Sequence, residues 1–253
     1  MSLSVGDGPT DTTTRVVWLQ TALLYGDLRI PADRPAFDGC KSLLEMDDDA
    51  LRWLAGQQGF AGHLESAGDI CCWHRHIDFQ PLANVPDAGR MQAVGELVME
   101  TGLFQPYTEE WRRTEAPSDD VLAAKLLLHG GVGEAALRQG FLLAQGDSFM
   151  FALERRTPPE QRAATLASAF VRHERSALLE ALDFEISLGT RRNGRCPWEI
   201  TLSTLPFLEG RSLMATSALA GGQAGYASID RCVLRQRCHE WLEFEHGADF
   251  RWL

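Results

Sequence analysis

Runs with a period of two dominate the chain. Val16-Val17-Trp18-Leu19-Gln20 and Leu23–Ile30 are rich in β-branched and aromatic residues, the second closed by Pro31, and they predict two strands. Phe60–Ser66 and Ile70–Phe79 flank Ala67-Gly68-Asp69 as a hairpin, Arg90–Glu96 and Val98–Phe104 flank a second turn, and Tyr107–Thr114 supplies another strand. Helical signals are rarer. Asp47-Asp48-Asp49 ahead of Ala50–Leu54 is an acidic helix start followed by i, i+3, i+4 apolar spacing that stops near Gly59. Pro158-Pro159 opens a longer helical segment that runs to Leu182.

The middle of the chain is ambiguous by period alone. Residues 119–155 hold enough Leu and Ala for two helices, but Gly130-Gly131-Val132-Gly133 interrupts the first. Gln145-Gly146-Asp147 sits between Phe141-Leu142-Leu143 and Phe149–Leu153, which is a hairpin signal. Phe184–Leu188 and Trp198–Thr204 flank the loop Arg191–Pro197 as half-buried strands, and Arg237–Phe244 alternates as a last strand. About ten strands joined by short turns, with no βαβ rhythm, predict a mainly β, antiparallel protein. One helix falls between the first strand pair and the rest, as a lid does over a barrel mouth. The pattern therefore favours a single closed barrel over residues 15–253, preceded by a polar, Gly/Thr-rich leader, residues 1–14, expected to be mobile.

Composition narrows the partners. The formal charge of −11 argues against nucleic acid, and the pairs Arg112-Arg113 and Arg191-Arg192 are isolated, read as solvated. No stretch approaches the ~18 to 20 apolar residues that a membrane span needs, and residues 1–14 lack a basic n-region and an apolar h-region. Six cysteines in a chain of this length and character read as reduced thiols of a cytoplasmic protein.

Four short motifs point to a family. Trp18-Leu-Gln, Tyr25-Gly-Asp-Leu-Arg-Ile-Pro, Trp73-His-Arg-His-Ile-Asp-Phe-Gln-Pro and Tyr107-Thr-Glu-Glu-Trp resemble a lipocalin-like family of poorly characterised bacterial and fungal proteins, over residues 16–210. The resemblance implies a calycin-type barrel with an interior ligand cavity. That fold serves small-molecule binders and a few isomerases, lyases and hydratases, so it does not decide function.

Charges that share a face with aromatics are the residues to follow. Read as a regular strand, 69–79 puts Cys71, Trp73, Arg75, Ile77 and Phe79 on one face and Cys72, His74, His76 and Asp78 on the other. On the strand from Tyr107, Glu109 lies between Tyr107 and Trp111. A buried unpaired charge costs several kcal/mol, so Arg75 and Glu109 are expected to pair with each other. In a ligand site, Arg75 would orient a carboxylate or carbonyl, with Glu109 or Tyr107 as proton donor or acceptor. Trp73, Ile77, Phe79 and Trp111 would line the cavity, and Asp27 and Arg29, which share a face with Tyr25, would join them or form an ion pair at its mouth.

The opposite face has ligand spacing for a metal. Cys72, His74, His76 and Asp78 stand at i, i+2, i+4, and Gly68 followed by His74-Arg75-His76 resembles the first cupin motif, although Gln80 and Pro81 replace the glutamate expected next. His76-x-Asp78, with distant His129, also resembles a non-haem iron triad. The plainer reading of this row is the polar outer face of a barrel strand, with no metal. Cys232, Cys238 and His239 lack Cys-x-x-Cys spacing, Gly130–Gly133 and Gly221-Gly222 match no phosphate loop, Ser187, Ser203 and Thr204 lack a nucleophile elbow, and His173 and Glu174 read as an exposed helix face.

The leading expectation is a soluble protein that binds a small, mostly apolar molecule bearing a carboxylate or carbonyl. It has no organic cofactor and no nucleic-acid or membrane partner. The alternatives are a cofactor-independent isomerase, lyase or hydratase using the same cavity, and a metal-dependent cupin-like or non-haem iron enzyme using His74, His76 and Asp78. A further one is an interaction protein whose helices at 47–57 and 159–182 dock a partner around a filled barrel.

Overall fold

The computed structural model describes residues 2–5, 10–82, 84–114, 118–129, 137–157, 165–169, 175–191, 198–213 and 238–246. The strands are β1 (Ser2–Val5), β2 (Arg15–Gln20), β3 (Leu24–Ile30), β4 (Gln58–Ala67), β5 (Ile70–Asp78), β6 (Asp87–Val94), β7 (Leu97–Gly102), β8 (Tyr107–Arg112), β9 (Val121–His129), β10 (Leu137–Gln145), β11 (Ser148–Leu153), β12 (Glu185–Thr190), β13 (Glu199–Ser203) and β14 (Cys238–His246). The helices are α1 (Asp48–Leu54), α2 (Leu166–Ala169) and α3 (Arg175–Leu182).

Two antiparallel sheets replace the expected single closed barrel of about ten strands. The first runs β1-β8-β7-β6-β5-β4-β3-β2 and the second β13-β12-β11-β10-β9-β14. The leader contributes β1, which pairs with β8 from Ser2↔Glu110 to Val5↔Tyr107. The first sheet curls strongly, because side chains from strands six places apart touch: the Trp18 and Trp111 rings lie 5.5 Å apart. It stops short of closing, and β1 and β2 are its two edges. The curl makes a half-barrel with a concave and a convex face.

The convex face packs on the second sheet. Leu24, Leu28, Ala61 and Ile77 from the first sheet meet Phe141, Leu143, Met150 and Ile186 from the second in one buried cluster. Phe149, Phe151, Leu142 and Ala144 point the other way, toward Trp198 and Ile200. Strands β10 and β11 are thus apolar on both faces, which is why their sequence is a continuous apolar run that also suits a helix. Two-residue turns close the hairpins at Gly68-Asp69 and Gly146-Asp147, with φ of 63° at Gly68 and 55° at Gly146, a region glycine enters without penalty.

Helix α1 begins as the acidic signal predicts, with the Asp47 side chain accepting from the Ala50 amide at 2.8 Å. It is not a lid. Leu51 and Leu54 enter the core between the sheets together with Leu178, Ala181 and Leu182 of α3, and α1 packs beside α3. The predicted helix from 158 to 182 is seen as α2 and α3, and its His173 and Glu174 lie outside the described residues. So do Gly130–Gly133, Gly221-Gly222 and Cys232, while the side chains of His129, Cys238 and His239 are likewise not described. Arg191, expected to be solvated, is fully buried, donating to the carbonyls of Gly146 at 2.8 Å and Asp120 at 3.0 Å.

One irregularity in β5 reorganises the first sheet. The β4–β5 register runs from Ala67↔Ile70 to Gly62↔Arg75 and then jumps to Ala61↔Ile77, so His76 is an extra residue opposite no partner. A bulge puts two successive residues on the same side and inverts the alternation beyond it. Arg75 stays with Trp73 on the concave face, Ile77 and Phe79 cross to the core between the sheets, and Asp78 joins Arg75. The Ile77 and Phe79 assignment from strict alternation is therefore corrected. Arg155, itself buried, donates to the carbonyls of Phe79 at 2.6 Å, Asp78 at 3.3 Å and Ala181 at 2.9 Å, tying the inverted segment to α3.

Gly62 permits the bulge, since a Cβ there would overlap the His74 carbonyl oxygen, a backbone atom that cannot swing away. Gly62→Ala is expected to destabilise the fold by about 2 kcal/mol or more, read as a lowered urea midpoint. An unchanged midpoint would mean the bulge is not locked.

Candidate functional site

The concave face of the half-barrel gathers the charged residues that the sequence singled out. Tyr25, Phe60, Leu64, Cys71 and Trp73 form its apolar floor, with Trp18 and Met91 against it. Trp18 stacks on Tyr25 at 4.8 Å and meets Trp73 edge-on at 6.1 Å. Alternation along β3 and β8 sends Asp27, Arg29, Tyr107 and Glu109 to this side, as predicted.

The ion pairs differ from the expected Arg75–Glu109 pair. Arg29 bridges Asp27 (Nε to Oδ1, 2.9 Å) and Glu109 (Nη1 to Oε1, 2.7 Å). Arg75 bridges Asp78 (Nη1 to Oδ2, 2.9 Å) and Asp87 (Nη2 to Oδ2, 2.6 Å) and lies 3.5 Å above the Phe60 ring centroid. The bulge explains the exchange, because it delivers Asp78 to Arg75. Both guanidiniums stay charged: burial works against them, but the carboxylates of Asp27 and Glu109, and of Asp87 and Asp78, more than compensate.

Carboxyl groups outnumber these two cations. Burial raises Asp27, Asp78 and Glu109 above the usual carboxylate range even beside their arginines. Glu100 of β7 is held by neutral donors. Its Oε1 accepts from the Tyr107 hydroxyl at 2.7 Å and its Oε2 from Trp111 Nε1 at 2.9 Å. Burial, with repulsion from Glu109, pushes its carboxyl up to about 7. Glu100 escaped the sequence reading because its face neighbours along the strand are Val98 and Gly102, not aromatics; its aromatic partners come from β8. Asp87 was missed too, since it is the β5–β6 pairing, with Asp87 opposite Trp73, that sets it beside Arg75.

A cavity of ≈ 500 Å³ opens on this face. Trp18, Leu64, Cys71, Trp73, Met91, Val98 and Trp111 wall it, with the Glu100 carboxyl, and Arg15, Arg112, Gln145 and Ser148 stand around it. The size suits a small organic molecule. Trp73 and Trp111 are among its lining residues. Arg75, Glu109, Tyr107, Asp27 and Arg29 do not line it; they form the polar layer beneath, and Ile77 and Phe79 belong to the core between the sheets. Tyr25 Oη, Asp27 Oδ2 and Trp73 Nε1 are buried with no hydrogen-bond partner among the described residues. Groups of that kind are normally satisfied by ordered water or a ligand.

The histidine row is not one ligand set. Asp78 lies on the concave face with Arg75, so the cupin-like and iron-triad readings built on His74, His76 and Asp78 do not hold. Cys72 is half-buried opposite Glu65. His74 pairs across the sheet with His63, their rings stacked at 4.3 Å, and His76 sits 2.7 Å from His63 with its ring against Phe141. His63 and Glu65 were missed, yet the two-residue turn at Gly68-Asp69 sets His63 opposite His74 by counting.

No protein-family model, curated protein or solved structure matches the chain significantly. Among the described residues, no helix is long and apolar enough to cross a membrane.

Arg75→Met strands two carboxylates, and a loss of about 3 kcal/mol is expected from breaking the pair, with no change at the cavity; weaker ligand binding at unchanged melting temperature would contradict this placement. Glu100 gives a pH signature. The folded protein keeps this proton from the ordinary glutamate value of 4.5 up to about 7, so its contribution is complete below pH 4.5 and lost as pH rises through 7. The total is on the order of 3 kcal/mol. Glu100→Gln can still accept from Trp111 while its amide donates to a reversed Tyr107 hydroxyl. Urea midpoints at pH 5 and pH 8 should converge in this variant; the wild-type difference persisting would refute the assignment.

Proposed function

We propose that the concave cavity binds a small, flat, mostly apolar molecule carrying a carboxylate or carbonyl group. The carrying observation is a cavity walled by three tryptophans with a single acidic group, Glu100, among its lining residues. An aromatic wall supplies large apolar contact area at little conformational cost, and a small number of polar groups suffices to fix orientation. Arg15 and Arg112 are exposed and have no ion-pair partner among the described residues. Two such cations in a chain of charge −11 suit an anionic ligand end. Glu100, holding its proton near neutral pH, suits a carbonyl deeper inside.

This reading keeps the ligand cavity that a lipocalin-like chain implies, on an open half-barrel in place of a closed one. It takes the polar handle away from Arg75, whose donors are occupied by Asp78 and Asp87. The interaction-protein alternative required a filled barrel, and a cavity of this size speaks against it. A reducing, cytoplasmic setting fits the free thiols of Cys40, Cys71 and Cys72.

A second reading rests on one group. An acid pushed to about 7 and hydrogen-bonded at 2.7 Å to a tyrosine hydroxyl is poised for general acid–base work. On that reading the same cavity belongs to a cofactor-independent isomerase, lyase or hydratase, and Glu100→Gln abolishes turnover while binding survives.

The test uses 8-anilinonaphthalene-1-sulfonate, an apolar anionic fluorophore, with native mass spectrometry for co-purified small molecules. Binding with quenched tryptophan emission is expected. Met91→Trp, which fills the cavity, and Arg112→Ala should each weaken it about tenfold, or 1.4 kcal/mol. Probe binding that ignores both substitutions would place the ligand elsewhere.

A further inference from the structure

We propose that His63, Glu65 and His74, on the convex face of the first sheet, form a three-ligand site for a divalent first-row transition-metal ion, distinct from the concave cavity. The site follows from strand geometry. His63 and His74 are directly opposed on β4 and β5, and Glu65 is two residues along β4 on the same face. Glu65 already faces both rings, Oε1 at 3.7 Å from His63 Nε2 and Oε2 at 3.2 Å from His74 Nε2.

The distances are close to those of a filled site. One donor atom from each residue lies within 4.8 Å of the other two, while ligands at about 2.1 Å from a tetrahedral ion stand about 3.4 Å apart. Small side-chain rotations close the difference, including a tilt of the two stacked rings so that their lone pairs converge. Glu65 and His74 are exposed and His63 is half-buried, so the rotations meet no packing barrier on the solvent side. Two imidazoles and a carboxylate suit zinc and its neighbours and leave coordination positions open to water.

The layer behind the ligands is the stronger argument. His76, the extra residue of the bulge, places Nε2 at 2.7 Å from His63 Nδ1. Metal-bound histidines are held in this way by a hydrogen bond to the other ring nitrogen. Lys125 Nζ lies 3.4 Å from His76 Nδ1, and an ammonium can only donate. Without metal, His76 then donates from Nε2 to His63 Nδ1, and His63 carries its own proton on Nε2. Metal uptake at His63 Nε2 moves that proton to Nδ1 and reverses the His63–His76 hydrogen bond. The His76 proton then sits on Nδ1, facing Lys125. No proton is gained or lost, but the ammonium opposes the metal-bound arrangement. Removing that charge therefore strengthens metal binding.

The experiment uses the full, tag-free chain stripped with a chelator, then titrated with Co(II) by visible absorption and with Zn(II) by calorimetry. One ion per chain is expected. His74→Ala and Glu65→Gln should each weaken binding at least tenfold, His76→Ala by about 10- to 100-fold, and Lys125→Met should tighten it. Cys72→Ser should bind as wild type, and circular dichroism of each variant confirms folding. Absence of binding by the wild type, or wild-type affinity in both folded His74→Ala and Glu65→Gln, overturns the proposal. Loss on Cys72→Ser with none on Glu65→Gln does the same.

Discussion

A single extra residue in β5 organises the first sheet. With His76 unpaired opposite Ala61 and Gly62, the side chains from Ile77 to Phe79 change face. Asp78 comes under Arg75 and Ile77 and Phe79 reach the second sheet, while His76 keeps the face of His74 and meets His63. Without the shift, Arg75 would lack one of its two carboxylates and the core between the sheets would lose two large apolar groups. The Arg75–Asp78 pair on the concave face and the Ile77–Phe79 contact with the second sheet are thus two consequences of the same backbone event.

Electrostatics then separates structural charges from chemical ones. Arg29 and Arg75 each span two carboxylates and flank the Phe60 ring, at 5.6 Å and 3.5 Å from its centroid. Their hydrogen-bonding capacity is directed at the protein itself, which suits holding a curled sheet in shape better than greeting a ligand. Glu100 is different. Its partners are a phenol and an indole, neutral donors that stabilise the carboxylate less than a guanidinium does, so burial dominates. The carboxyl raised to about 7 is also the acidic group on the cavity wall.

Much of the local structure was legible in the chain. The hairpins at Gly68 and Gly146, the Asp47 helix start and the alternation of Tyr107, Glu109 and Trp111 are short-range consequences of turn chemistry and period. The β10–β11 run was harder, because burial on both faces erases alternation and leaves an apolar stretch that suits either element. The candidate site was half legible. Trp73 and Trp111 could be found by their face, whereas Glu100 and Asp87 acquire meaning only through neighbours far along the chain.

By itself the sequence determined the strand content, the approximate places of the turns, and an acidic chain with a few charges among aromatics. Only the tertiary structure decided that the sheet curls without closing, that α1 seals the core between the sheets rather than a barrel mouth, and which carboxylate each arginine holds. The physical reason is that a bulge inverts side-chain direction without changing residue pattern. Curl, likewise, brings strands six places apart into contact, and no local period records it.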